Sequence, residues 1–199
     1  MKKALLVASI NFALGLMALI AALVIYFRYS QEPLKIYGPA PKFTLTASDE
    51  AAFSSEQLQD KIWVANFFFS TCAGPCPAMS ANMKKVQDRF PESDIGLVSF
   101  SVNPLYDTPD VLAKYAKKLR ADTEQWHFLN GEEKEIQRIS VEGFMIGDPD
   151  NIVNHSQKLV LVDRAGLIRG YFEGTSDEET EQLLSAIQRL RKDQPLTGP

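Results

Sequence analysis

Apolar runs of strand length alternate with segments of helical spacing along most of the chain, and this alternation restricts the fold more than any other feature. Residues 62–70 and 95–102 are nearly continuous apolar runs, which is typical of strands buried on both faces. A short strand is predicted at 43–45 and another at 126–129, and a hairpin signal, Asp163-Arg164-Ala165-Gly166, separates strands predicted at 157–162 and 167–172. The helices are predicted at residues 77–90, 108–120, 132–140 and 177–192. This order indicates an α/β fold with a mixed central sheet flanked by helices.

The N-terminal segment has a different character, because residues 4–27 carry no charged side chain. A helix of that length would measure roughly 36 Å, which is enough to cross a hydrocarbon layer of about 30 Å. Lys2 and Lys3 precede the run and favour a cytoplasmic N-terminus. The run is longer than the apolar region of a cleavable signal, and no small-x-small cleavage site ends it. We therefore predict an uncleaved transmembrane helix within residues 1–30, with a cleaved signal as the alternative.

Either alternative exports the rest of the chain. Residues 31–42 are rich in proline and are predicted to form an extended linker, followed by one domain at 43–192 and a loose tail at 193–199. The N-terminus shows no Arg- and Ser-rich transit segment, which favours a bacterial protein. The expected location is the inner membrane, crossed once, with the soluble domain in the periplasm.

Charge excludes nucleic-acid binding as the main activity. Lys2, Lys3 and Arg28 are the charged residues of the first 30, which leaves 18 basic and 25 acidic side chains in residues 31–199. A nucleic-acid-binding domain would carry a basic stripe or block instead.

Cys72 and Cys76, the two cysteines of the chain, directly follow the predicted strand at 62–70. Cys76 lies at the opening of the next helix, where unpaired N–H groups and a partial positive charge favour thiolate over thiol. A structural disulfide in so short a loop would contribute only about 2 kcal/mol and would join the loop to itself. The pair therefore indicates either a reversible dithiol–disulfide couple or a metal site.

A metal site needs a third ligand, and the candidate is His155, at the end of a loop rich in Gly, Asp, Pro and Asn. A lone histidine in a loop is more often solvated than a ligand, so the residues alone leave its role open. A structural zinc site takes four ligands, whereas Cu(I) prefers thiolates and accepts three. His127 lies between two aromatic residues of a predicted strand and is interpreted as structural, and Met79 and Met83 are interpreted as core residues.

Four segments occur in a recognisable order. They are Phe-Phe-Phe-Ser-Thr-Cys-x-x-x-Cys-Pro at 67–77, Ser-Val-Asn-Pro at 101–104 followed by Asp-Thr-Pro at 107–109, residues 126–131, and His155-Ser156 leading to residues 161–166. Together they resemble the Sco/SenC family of membrane-anchored copper metallochaperones. The resemblance covers residues 38–192.

The resemblance implies a thioredoxin-like fold and a single copper ion bound by Cys72, Cys76 and His155. The ion would be Cu(I), or Cu(II) if a fourth ligand is supplied. The implied function is assistance in building the binuclear copper (CuA) site of cytochrome c oxidase, by copper delivery, thiol reduction or both. The implied partners are the oxidase subunit that carries this site and other copper carriers or thiol reductants. The sequence departs from the family at Asn103, usually Asp, and at Ala73, often Pro; neither is a ligand position.

Two other functions could use the same residues, and a third is excluded. An exported thiol–disulfide oxidoreductase, which would be an enzyme, would need both cysteines but not His155. A copper or redox sensor would use the same ligands as a chaperone. A peroxiredoxin is excluded, because that family places Pro seven and Thr three residues before its cysteine, and the chain has Ala65 and Phe69 at those positions before Cys72.

Overall fold

The computed structural model describes residues 11–23, 33–91, 94–149 and 156–193. Backbone contacts divide the chain into two units, with the division between Leu34 and Lys35. In the first unit, residues 11–23 form a helix, α1. A search of the described residues finds no helix both long enough and apolar enough to cross a membrane. Residues 4–10 and 24–27 of the predicted span lie outside those residues, so the transmembrane anchor stays a prediction.

The second unit is an α/β domain. Its strands, as far as the chain is described, are β1 (Gly38–Pro39), β2 (Thr44–Ala47), β3 (Ala52–Ser54), β4 (Ile62–Phe68), β5 (Ile95–Ser101), β6 (Trp126–Asn130), β7 (Lys158–Val162) and β8 (Leu167–Glu173). The helices are α2 (Cys76–Arg89), α3 (Pro109–Leu119), α4 (Glu133–Arg138) and α5 (Asp177–Asp193), with a 3₁₀ turn at Ser55–Leu58 and a π-helix at Ile139–Gly143.

The strands form one mixed sheet in the order β1-β8-β7-β4-β5-β6-β2-β3. β4, β5 and β6 run parallel, whereas β7 lies antiparallel to β4 and pairs with β8 in a hairpin. The predicted mixed α/β architecture is confirmed. Because the three parallel strands finish together, the sheet has a cysteine end, after Phe68 of β4 and Ser101 of β5, and a turn end, at the β7–β8 turn.

Both central strands are buried along their whole length, as their continuous apolar runs predict. One face of the sheet packs as an aromatic cluster, in which the Phe67 and Phe100 rings stack with centroids 5.0 Å apart and Phe144 contacts both rings. On the other face, Phe68 stacks on Tyr115 of α3 with centroids 5.1 Å apart. A core on both faces fixes the ends of β4 and β5, and therefore the loops at the cysteine end.

Three elements differ from the sequence prediction. β1 and β3 were not predicted; β1 pairs antiparallel with β8 at Ile168 and Leu167. The helix predicted at 132–140 is shorter, because α4 ends at Arg138 and a π-helix follows it.

Candidate metal and redox site

The two cysteines lie on either side of a tight connection between β4 and α2. The Cys72 N–H donates to the Phe69 carbonyl at 3.2 Å, which turns the chain immediately after the strand. Cys76 is the first residue of α2, and Pro77 occupies the first turn, where its missing N–H costs no helical hydrogen bond. Cys76 is fully buried and Cys72 is half-buried, and both are free thiols.

The two thiols interact directly, and their pKa values move in opposite directions. Burial raises the pKa of Cys72, but hydrogen bonds from the Cys76 thiol and from the backbone of Cys76 and Gly74 outweigh it, so the pKa lies below its ordinary value. Burial, together with the hydrogen bond to Cys72, raises the pKa of Cys76 to about 12. Cys72 is therefore the thiol of the pair that ionises more readily, and the hydrogen bond from the Cys76 thiol favours its ionised form.

A buried carboxylate, Asp107, ties the cysteine loop to the end of β5. Ser70 donates to Asp107 through its backbone N–H, at 3.0 Å, and through its hydroxyl. The Ser101 hydroxyl donates to the same carboxylate at 2.6 Å. Asp107 is fully buried, so these three contacts fix the residue two positions before Cys72.

Tyr115 of α3 is a second residue that sequence reasoning missed. Its hydroxyl lies 2.9 Å from that of Ser80, one turn after Cys76 in α2. Burial raises the pKa of Tyr115; a hydrogen bond with Ser80 opposes the increase, and the charges of Cys76, Cys72 and Asp107 add to it. Tyr115 is therefore a neutral hydroxyl close to both cysteines.

The structure thus brings two of the three predicted ligands together. His155, the third, lies outside the described residues, and among those that are described no group of three or more His, Cys, Asp or Glu side chains could hold a metal ion. Two adjacent sulfurs, one of them with a lowered pKa, form a soft donor pair of the kind that Cu(I) prefers. The donor set present therefore fits Cu(I) and leaves a coordination position for a further ligand.

The other residues with metal-binding side chains have structural environments. His127 is half-buried and packs on Phe53 with ring centroids 4.3 Å apart, and burial lowers its pKa. Met79 and Met83 are fully buried in α2. These positions agree with the structural roles predicted for them.

Comparison with known proteins places this arrangement in a family. The model of the family SCO1/SenC matches residues 35–192. The SCO1 protein homolog of Bacillus subtilis (strain 168) is 28% identical over 153 residues, covering 73% of this chain and 79% of that protein. The structure of BsSco, a member of the Sco family of cytochrome c oxidase assembly proteins, superposes with a TM-score of 0.71 at 25% identity, covering 81% of this chain and 99% of that one. These matches confirm the predicted thioredoxin-like Sco fold.

Relatives in this family bind copper. A putative copper-binding protein of Stutzerimonas stutzeri is 28% identical over 143 residues, covering 66% of this chain and 67% of that protein. ScoI of Arabidopsis thaliana has been solved with copper bound; it is 20% identical, with a TM-score of 0.61, and covers 75% of this chain and 98% of its own.

Proposed function

Because the chain belongs to the SCO1/SenC family, we propose that it binds one copper ion through Cys72, Cys76 and His155 and assists assembly of the CuA site of cytochrome c oxidase. The observation that carries the proposal is the contact between the two thiols, one half-buried with a lowered pKa and the other fully buried. A thiolate pair with one accessible member can hold Cu(I) and pass it on by ligand exchange with an incoming cysteine pair.

The redox state of the pair would control whether metal is held. Exchange with a partner disulfide, which takes up the two electrons and two protons and becomes a dithiol, would convert the Cys72 and Cys76 thiols to a disulfide and remove both thiolate ligands. A disulfide switch has been identified in BsSco, which supports a reversible couple in this chain. We propose that the reduced chain carries copper and the oxidised chain releases it.

The proposed location is the bacterial inner membrane, with residues 1–30 as a single-span anchor and the second unit in the periplasm. The uncharged segment at residues 4–27 supports this proposal. In that compartment a thiol reductant must keep the cysteine pair reduced for copper to bind.

A thiol–disulfide oxidoreductase is the second candidate function, and the opposite pKa shifts of the two thiols favour it. Cys72 has the lowered pKa and partial exposure of an attacking thiol, and Cys76 is placed to resolve the mixed disulfide. This activity would not need His155, so a substitution of His155 distinguishes the two functions experimentally.

The test is a titration of the reduced full-length chain in detergent with Cu(I), in competition with a chromogenic chelator. We expect one tightly bound equivalent, lost in Cys72→Ser and Cys76→Ser and strongly weakened in His155→Ala. His127→Ala is the matched control and should retain the affinity, with circular dichroism confirming its fold. Tight binding that survives loss of His155, together with turnover in an insulin-reduction assay, would favour the oxidoreductase.

A further inference from the structure

Two neighbouring apolar side chains are exposed at the cysteine end of the sheet. Leu105 is 90% exposed and Tyr106 is 54% exposed, and both lie in the loop between β5 and α3. We name them the Leu105–Tyr106 patch. An apolar group that the fold holds in water beside a reactive site is typical of a surface that contacts a partner protein.

The loop that carries the patch is held rigidly. The backbone N–H groups of Tyr106 and Asp107 both donate to the Asn103 carbonyl, at 3.0 and 2.9 Å. The Asn130 side-chain amide donates to the carbonyls of Pro104 and Asp107, at 3.1 and 2.6 Å. The patch is therefore already ordered before binding, which reduces the entropy that a contact would cost.

A second set of hydrogen bonds links the loop that carries the patch to the loop that carries Cys72. Asp107 directly follows Tyr106 in the chain, and its carboxylate accepts two hydrogen bonds from Ser70. Ser70 is two residues from Cys72, the more exposed of the two cysteines. A protein that covers the patch would therefore lie beside the loop that carries the Cys72 thiol.

The charges around the patch restrict the partner further. Asp110 lies in the first turn of α3, and Glu132 and Glu133 follow Asn130, whose side chain holds the loop. All three carboxylates belong to exposed residues; Lys114 pairs with Asp110 at 3.0 Å and the exposed Lys134 follows Glu133, so one negative charge is in excess. Like charges across an interface are unfavourable, so the partner's surface around an apolar centre should be neutral or basic.

We propose that the Leu105–Tyr106 patch is the docking surface for a partner protein that exchanges copper or electrons with Cys72, and that this partner presents an apolar, non-acidic face beside its own cysteine pair. The inference rests on the proposed function, because it assigns the surface through which that function operates. Docking would hold the partner's sulfur atoms against the half-buried thiol long enough for ligand exchange.

The test compares Leu105→Ser and Tyr106→Ser with Ile36→Ser in the full-length chain. Ile36 is a matched control, since it is an apolar residue that is 57% exposed in the segment before β1. The probe is the reduced, copper-free CuA domain of cytochrome c oxidase from the same organism. The rate of Cu(I) transfer is followed by stopped-flow absorbance, and the Cu(I) affinity of each variant is measured beforehand.

We expect all three variants to bind Cu(I) like the wild type. Transfer by Leu105→Ser and Tyr106→Ser should be slower by roughly tenfold, which is typical of losing a central interface residue. Ile36→Ser should transfer normally.

Equal transfer by all variants would overturn the docking surface, as would a copper-loaded wild type that fails to transfer to this domain. Self-association that sedimentation detects and that Leu105→Ser abolishes would show that the patch binds a second copy instead. Failure of the wild type to bind Cu(I) would contradict the proposed function itself.

Discussion

The two ends of the sheet each contain a buried aspartate, but the two carboxylates are satisfied by different partners. At the turn end, Asp163 accepts from the N–H groups of Ala165 and Leu167, both at 3.0 Å, and from the Arg169 guanidinium at 2.6 Å. At the cysteine end, the contacts of Asp107 come from a backbone N–H and two serine hydroxyls. One carboxylate is neutralised by a cation, and the other is held by neutral donors.

The difference suits the copper site that we propose at the cysteine end and the hairpin turn at the turn end. An arginine beside the cysteines would repel a copper cation and would compete with it for the thiolates. Neutral donors hold Asp107 but leave its negative charge in place, and that charge contributes to the raised pKa of Tyr115. The turn end has no such constraint, so a buried ion pair can close the hairpin there.

Asp163→Asn should have the largest effect on stability. The substitution leaves the guanidinium of Arg169, only 10% exposed, without its carboxylate, and removing one partner of a buried pair typically costs about 3–5 kcal/mol. Urea unfolding would measure this loss as a lower free energy of unfolding. Cu(I) affinity of the folded variant should be unchanged, and a marked loss of affinity would contradict the separation of the two ends.

Asp107→Asn is the matched substitution at the cysteine end. Compared with Asp163→Asn, it should lower the free energy of unfolding less and the Cu(I) affinity more. Weakening hydrogen bonds to a charged acceptor should lower the free energy of unfolding by about 1–3 kcal/mol, less than Asp163→Asn, because no buried guanidinium loses its carboxylate. Cu(I) affinity should fall, since a negative charge near the thiolates is removed and Ser70 loses its anchor. A larger stability loss here than in Asp163→Asn would show that the comparison is wrong.

Tyr115→Phe should have the smallest effect. It removes the hydrogen bond with Ser80 and keeps the ring stacked on Phe68, so the free energy of unfolding should fall by about 1 kcal/mol. Ser80→Ala should cause a similar loss, and the double variant should lose little more than either single variant. Additive losses in this double-mutant cycle would show that the two hydroxyls act independently.

The elements that the sequence predicted well are those with a dense local pattern. β4 and β5 are continuous apolar runs, and α3 begins at Pro109 after Thr108, a typical helix start. β1 consists of Gly38 and Pro39, which have no strand pattern, and it forms only because β8 offers an edge. The sequence shows the three residues between the cysteines as a motif. It does not show the strand register that brings this turn beside the end of β5.

The supporting residues of the site could not have been found in the same way, because their partners are distant in the chain. Ser70 and Asp107 are 37 residues apart, and Ser80 and Tyr115 are 35 apart. No local spacing signals such pairs, and only the parallel pairing of β4 with β5 and the packing of α2 against α3 bring them together. Tyr115 in particular resembles any other aromatic residue on the buried side of a helix.

The two sulfur atoms are buried to different depths, so the steps of an exchange at this site occur in a fixed order. An alkylating reagent, a partner thiol or a partner disulfide meets Cys72 first, because Cys76 is fully covered by the fold. Every exchange must therefore start at the Cys72 sulfur and finish at the Cys76 sulfur, whether the bound ion arrives or leaves. The buried Cys76 sulfur therefore controls how long the bound ion stays, and the accessible Cys72 sulfur controls which partner molecules can begin an exchange.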